Sequence, residues 1–197
     1  MAGARKVAFV GTHGVGKTTL CYELAAELKR RDQTVDLVKE VARRCPLPIN
    51  EGTTIEAQTW ILHAQIAEEI AVGAQAEVVV CDRSVLDNYA YLVARAGRQV
   101  ALDALVRDWV RTYDALIKVP VTAPPTFDGT RAVSLAFQRE IDETIDELIA
   151  AFEVPVMRLE VAERPWWSRK VVEHLQLDLI APQIDLFMPS AVAGGEG

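Results

Sequence analysis

Apolar and polar positions along this chain repeat with two periods, and each change of period marks an element. Residues 6–10, KVAFV, form a short run rich in β-formers that stops at Gly11 and predicts a buried strand. From Thr18 onward, Leu20, Cys21, Leu24, Ala25 and Leu28 recur at helical spacing, with Glu23, Glu27, Lys29 and Arg30 on the opposite side. Residues 34–39, TVDLVK, predict a second strand, and Pro46, Pro48, Asn50 and Gly52 mark a loop after it. A long amphipathic helix is expected over about 54–74, carrying Ile55, Leu62, Ile66 and Ile70. Residues 77–82, EVVVCD, are too apolar to own a solvated face, which suits a parallel sheet covered on both sides. Helical patterns follow over 85–96 and 99–112, then a fourth strand over 114–119. A Pro/Gly-rich loop, PVTAPPTFDGT, leads to a helix over 133–151, a fifth strand over 154–161 and a last helix over 165–175.

Strands alternating with helices, without hairpin signals between them, predict an α/β fold whose parallel sheet is joined by right-handed crossovers. No repeat and no linker divides the chain, so a single domain is expected over 1–190. The end, 191–197, AVAGGEG, has nothing to pack with and is expected to be disordered.

Charge narrows the partners. The chain of 197 residues carries 21 basic and 28 acidic side chains, a formal net charge of −7. Such a surface does not attract nucleic acid or anionic membrane, so a phosphorylated ligand must be held by a local concentration of cations. Cys21, Cys45 and Cys81 form no CxxC or Cys/His cluster and read as reduced thiols, Cys21 and Cys81 in the core. With no apolar run of membrane-spanning length and no leader pattern, the expected setting is cytoplasmic.

Residues 11–18, GTHGVGKT, fit G-x-x-x-x-G-K-[ST], with a predicted strand before and a predicted helix after. Gly11, Gly14 and Gly16 let backbone N–H groups turn inward around an anion, and Val15 and Thr19 complete the loop and the helix start. The helix N-terminus adds partial positive charge. Lys17 reaches the outer phosphates and the Thr18 hydroxyl serves as a Mg²⁺ ligand. A dinucleotide site is disfavoured because G-x-G-x-x-G is absent. The motif therefore predicts a bound nucleoside triphosphate with Mg²⁺.

Four apolar residues ending in Asp82 place a carboxylate beside the metal position, so Thr18 and Asp82 are the expected metal ligands. Ser84 with Asp87 three residues on reads as a capping box. Asp82-Arg83-Ser84-Val85 is not the D-x-x-G of a GTPase, and no N-K-x-D follows. A hexameric AAA+ ATPase usually shows Asp-Glu here and a helical lid domain of its own.

The loop GTHGVGKTTL, the glutamate in KEVARR after the second strand, and CDRS together resemble the nucleoside and nucleotide kinase group of P-loop proteins. Deoxynucleoside and thymidylate kinases carry a similar acidic-Arg step. TFDGTR followed by Arg139 resembles the lid region of nicotinamide riboside kinase-like proteins and their AAA-labelled relatives. The resemblance spans roughly residues 6–160. It implies a P-loop NTPase fold with a five-stranded parallel sheet flanked by helices, a short lid over about 120–140, ATP and Mg²⁺ as cofactors, and transfer of the γ-phosphoryl group to a small acceptor, a nucleoside or nucleotide. Under it, Glu40 takes a proton from the acceptor hydroxyl or orients it; otherwise it is an i,i+4 partner of Arg44. Arg83 is the expected holder of acceptor or phosphate, and Arg131 or Arg139 the expected lid arginine. Gln58 and Gln65, seven apart on one helical face, either reach a base or sugar or lie at the helix's polar edge. His13 is given no catalytic role, and Trp166 and Trp167 are read as packing. A regulatory P-loop ATPase acting on a protein partner and a polynucleotide 5′-kinase stay open as alternatives, the second disfavoured by the acidic surface. A homo-oligomer stays open too.

Overall fold

The computed structural model describes residues 3–122 and 134–176. The elements run β1 (Arg5–Val10), α1 (Lys17–Lys29), β2 (Val35–Val38), α2 (Ile55–Gly73), β3 (Val78–Asp82), α3 (Val85–Ala96), α4 (Val100–Val110), β4 (Ala115–Lys118), α5 (Leu135–Phe152), β5 (Met157–Arg158) and α6 (Trp167–Leu175). Short 3₁₀ segments at Val41–Arg44, Asn50–Gly52 and Val161–Trp166 fill the joints. The five strands form one sheet in the order β2-β3-β1-β4-β5, and every pairing is parallel.

The apolar strands are covered on both faces, as their composition requires. In β1, Val7 and Phe9 point toward α1 and α6, while Ala8 and Val10 point toward α2, α3 and α5. In β3, Val78 and Val80 share the first face, and Val79 and Cys81 the second. Each such valine removed from water is worth about 1.5–3 kcal/mol, so β1 and β3 form the most strongly held part of the sheet. Cys21 and Cys81 are buried free thiols, and Trp167 is buried while Trp166 lies at the rim. Among the described residues no helix is long and apolar enough to cross a membrane.

Two expected elements change at their ends. The fifth strand is only Met157–Arg158, because the chain leaves the sheet edge for the 3₁₀ segment that holds Pro165. That segment delays the last helix to Trp167. Thr54 and Ser134 cap α2 and α5 by accepting from Ala57 N and Phe137 N, which fixes where both helices begin. The core of the expected lid, 123–133, and the expected tail, 191–197, lie outside the described residues.

Chain direction across the sheet reverses at β1: β2 and β3 lie to one side of it, β4 and β5 to the other. Open α/β sheets bind ligands beyond the carboxyl ends of the strands at such a reversal. Here those ends carry Gly11 after β1, Glu40 beyond β2, Arg83 after β3 and Val119 after β4.

The crossing of β1 and β4 is close at this point. A Cβ added to Gly11 would stand 2.8 Å from the backbone carbonyl oxygen of Val119, which cannot swing aside. Gly11→Ala is therefore expected to lower stability by about 1–3 kcal/mol, the usual cost of forcing extra volume into packed structure. Thermal melting checks it, and an unchanged melting temperature would show that the strands separate freely there.

Candidate functional site

The loop between β1 and α1 closes on itself. Gly14 (φ 78°) and Gly16 (φ 95°) take left-handed conformations that a side chain resists. Gly16 is the N-cap of α1 and supplies no side-chain bond, so the first turn of the helix faces the loop without a capping side chain. Lys17 Nζ donates to Gly11 O and Thr12 O, both at 2.7 Å, bridging the loop from its far end. Burial, then the charge on Arg83, lower the Lys17 ammonium from 10.5 to about 8, against the pull of Asp87, Asp82 and Glu40. Val15 is buried, Thr18 half-buried, and Thr19 projects to solvent.

Beside the loop stands the end of β3. Thr18 Oγ1 donates to Asp82 Oδ2 at 2.6 Å, so the two expected metal ligands are in contact. A hydroxyl and a carboxylate are hard oxygen donors, and together they fit Mg²⁺ completed by water and phosphate oxygens. Among the described residues no three His, Cys, Asp or Glu side chains converge on a metal position by themselves.

Arg83 follows with φ 104°, a conformation a long L side chain rarely holds. The strained turn sends its guanidinium inward: Arg83 Nε donates to Glu40 Oε1 at 2.8 Å, and the group lies 5.3 Å from the centre of the Tyr91 ring. The side chain is 8% exposed, and its Nη1 has no hydrogen-bond partner among the described residues. Burial is the largest influence and works against the Arg83 charge, but Glu40, Tyr91, Asp87 and Asp82 together outweigh it and the group stays protonated.

Glu40 is the second half of this centre. Its other oxygen accepts from Arg43 Nε at 2.7 Å, while Arg44 turns away to Glu68. The i,i+4 pair with Arg44 that the sequence offers as an alternative does not form. Residues 41–44 wind as a 3₁₀ segment, where positions three apart lie over each other, so Arg43 takes the contact. Burial raises the Glu40 carboxyl, but Arg83, Arg43 and Lys17 more than reverse this and hold it at about 2. Glu40 borders three spaces: the phosphate loop, a small pocket of about 30 Å³ with Gln58, Tyr91 and Arg83, and an open groove of about 470 Å³ with Tyr22, Lys39 and Arg44.

The structure thus brings Lys17, Thr18, Asp82, Arg83 and Glu40 to one place. Arg131 lies outside the described residues. The two glutamines part company. Gln58 is at the small pocket, donating to Thr53 Oγ1 at 2.8 Å; Gln65 is fully buried and donates to Arg83 O at 3.2 Å. Neither lies at a solvated polar edge.

Asp87 has a second duty that its capping box hides. Oδ2 accepts from Ser84 N and Ser84 Oγ, both at 2.8 Å, while Oδ1 accepts from Gly11 N at 2.7 Å. One carboxylate thereby ties the phosphate loop to the Asp82-Arg83 turn, a long-range bond that sequence spacing cannot express. His13 is buried: its ring stacks on Phe137 at 5.8 Å and shares a 3.1 Å hydrogen bond with Tyr91 OH. Its carbonyl accepts from Gln138 Nε2 at 2.9 Å, which docks α5 on the loop.

Residues 6–164 match the family model described as AAA domain. No curated protein matches the chain. Among solved structures, it is similar to thymidylate kinase from Ehrlichia chaffeensis, with a TM-score of 0.65 at 16% identity over 89% of this chain and 100% of that one. It is also similar to deoxyadenosine kinase from M. mycoides with bound dATP, with a TM-score of 0.62 at 14% identity over 86% of this chain and 97% of that one. At these identities the likeness is one of fold: a five-stranded parallel sheet flanked by helices, the fold of P-loop kinases.

The ion pairs of Glu40 give the site a pH signature. Its folded value of about 2 lies below the ordinary 4.5, so its contribution to stability is present above pH 4.5 and lost as pH falls toward 2. A shift of that size corresponds to a contribution on the order of 3 kcal/mol. Glu40→Gln should cost about that much stability at pH 7, and the gap to wild type should close on acidification toward pH 2. Urea unfolding at several pH values tests this; a gap independent of pH would mean that the carboxylate charge is not what holds the arginines.

Proposed function

This chain belongs to the AAA-domain family, and from that premise we propose that it is an ATP- and Mg²⁺-dependent kinase that moves the γ-phosphoryl group to a small acceptor, a nucleoside or nucleotide. The observation that carries the reading is the Glu40–Arg83 pair at 2.8 Å, built on the wall shared by the phosphate loop and the pockets beside it. A buried glutamate and arginine beside the phosphate loop supply the base and the cation that an oriented acceptor needs. Kinship of fold with thymidylate and deoxyadenosine kinases supports the same reading.

In this proposal the glycine loop and the start of α1 bind the triphosphate through backbone N–H groups. Lys17 gives up its two carbonyl partners for phosphate oxygens, a trade that returns a desolvated ammonium to an anion. Thr18 and Asp82 would hold Mg²⁺, which supplies charge neutralisation on the phosphates when bound. Glu40 accepts the hydrogen bond of the acceptor hydroxyl and then its proton, as the acceptor oxygen bonds to the γ-phosphorus and the bond to the bridging oxygen of ADP breaks. A carboxylate held at about 2 by two arginines is a weak base. Moving either guanidinium onto phosphate oxygens raises its basicity, so nucleotide binding and activation of Glu40 are one event. Arg83, with an unpartnered Nη1, is the cation poised for that move. Arg131 is proposed as a second cation on the transferring group.

The test is an ADP-release screen over nucleosides, nucleotides and other small alcohols, followed by variants assayed well below their melting temperatures. Lys17→Ala should abolish the thermal stabilisation given by Mg-ATP while leaving the unliganded protein folded. Glu40→Gln should retain ATP binding and lower acceptor phosphorylation by roughly 10²–10⁴-fold, the usual worth of a positioned acid or base. Full transfer by Glu40→Gln to an identified acceptor would overturn the role of Glu40. ATP turnover that responds only to a protein partner would replace the kinase by a regulatory ATPase.

A further inference from the structure

Glu69 lies on α2 with its side chain completely excluded from solvent. A carboxylate in such a place is tolerated only with its oxygens fully supplied with donors. Oε2 accepts from Trp109 Nε1 at 2.7 Å and is paired with Lys6 Nζ at 3.4 Å. Oε1 accepts from Tyr113 OH at 2.7 Å and from Gln65 Nε2 at 3.0 Å. Four elements, β1, α2, α4 and the segment entering β4, meet on one carboxylate.

The two oxygens face different parts of the molecule. The Oε2 partners meet each other: the Lys6 ammonium sits 4.5 Å from the Trp109 ring centre, and it also lies 5.2 Å from the ring centre of Tyr113. The Oε1 partners lead onward to the strained turn after β3. Tyr113 OH also accepts from Val85 N at 3.1 Å, and Gln65 Nε2 also donates to Arg83 O at 3.2 Å. Between those two contacts Ser84 N is taken by Asp87. Three successive backbone groups, Arg83 O, Ser84 N and Val85 N, are therefore each fixed by a buried side chain. A residue at φ 104° persists only where its surroundings over-determine it, and these bonds do so.

We propose that Glu69 is a positioning residue for Arg83: through Oε1, Tyr113 and Gln65 it locks the 83–85 turn in the left-handed form that sets the guanidinium on Glu40, while Oε2, Trp109 and Lys6 anchor it to the body of the domain. Glu69 touches no ligand in this account. It acts through two neutral donors whose other contacts are backbone atoms of the turn, so its charge orients both at once. Its part in phosphoryl transfer rests on the kinase reading above; its hold on Arg83 does not.

The split between the two oxygens supplies the control. Tyr113→Phe removes the link on the side of the turn, both its bond to Glu69 and the one it accepts from Val85 N, and Trp109→Phe removes the bond on the side of the anchor. Both lose a hydrogen bond to the same buried carboxylate, so a merely structural role predicts the same consequences at the site. The readout is the ¹³C chemical shift of the Glu40 carboxyl in the free protein between pH 7 and pH 3. Arg83, Arg43 and Lys17 surround that carboxyl and keep it ionised through this range in the wild type. Release of Arg83 in Tyr113→Phe should move its midpoint from about 2 toward the ordinary 4.5, and Trp109→Phe should leave it in place. Gln65→Met, which breaks the bond to Arg83 O, should repeat the Tyr113→Phe result and carries the test should that variant not fold. An unmoved midpoint in the turn-side variants, or an equal movement in Trp109→Phe, overturns the proposal. With an acceptor in hand, Tyr113→Phe should lower kcat for transfer by up to about 10²-fold, the scale of a small misplacement of reacting groups. A shifted carboxyl midpoint with no acceptor ever phosphorylated would leave the positioning role standing and remove the kinase reading alone.

Discussion

The Asp87 carboxylate is the contact on which the rest of this site depends. It is fully buried, and it joins Gly11 N at the end of β1 to Ser84 N and Ser84 Oγ after β3. The phosphate loop and the Asp82-Arg83 turn belong to neighbouring parallel strands with no chain connection nearer than a helix, a strand and another helix. Parallel pairing fixes their strands to within a residue but leaves the loops beyond the last ladder bond free. A charged acceptor shared by both loops removes that freedom. Hydrogen bonds to charged groups are worth about 1.5–3 kcal/mol each, more than the capping role alone would give.

That coupling allows an acidic protein to concentrate positive charge. Lys17, Arg83 and Arg43 converge on Glu40 although the chain as a whole carries −7. The cations are mutually unfavourable: Arg83 is among the causes that lower Lys17, second to burial. Asp82, Asp87 and Glu40 offset the repulsion with fixed negative charge close by. The result is a site whose internal ion pairs stand in for a ligand, with Lys17 on its own loop carbonyls and Arg83 on Glu40. In the proposed reading an entering anion would take over partners already desolvated, so the cost of burying these groups would be met in folding rather than in binding.

Behind the site is a polar interior. Gln65, Glu69, Asn88 and Gln138 are buried beneath helices that otherwise pack through Leu62, Leu86, Tyr89, Ile141 and Ile145. Gln138 holds His13 O, and Gln65 holds Arg83 O; each amide ties a helix to a loop backbone that no ladder bond reaches. Buried polar contacts of this kind are directional, whereas apolar packing tolerates small slips, so they set loop geometry more finely than the core can.

How much of this could be read from the chain divides along a physical line. Strand and helix identity were legible, because Lys6–Val10, 77–82 and the periodic run after Thr18 carry their burial pattern in local sequence. So was the phosphate loop, since its glycines, Lys17 and Thr18 form one contiguous segment whose backbone geometry the residues themselves impose. The capping box of Ser84 and Asp87 was legible for the same reason. What only the tertiary structure decided is every choice among distant partners. Glu40 could have paired with Arg44 by helical spacing, but a 3₁₀ turn and the fold of β3 beside β2 gave it Arg43 and Arg83. Gln65 had the spacing of a ligand contact and became a backbone clamp; Glu69 and Tyr113 gave no local signal at all. Local sequence fixes conformation through sterics and periodicity over a few residues. Which charge meets which across 43 residues, as Glu40 meets Arg83, is set by strand order, and strand order is a property of the folded sheet.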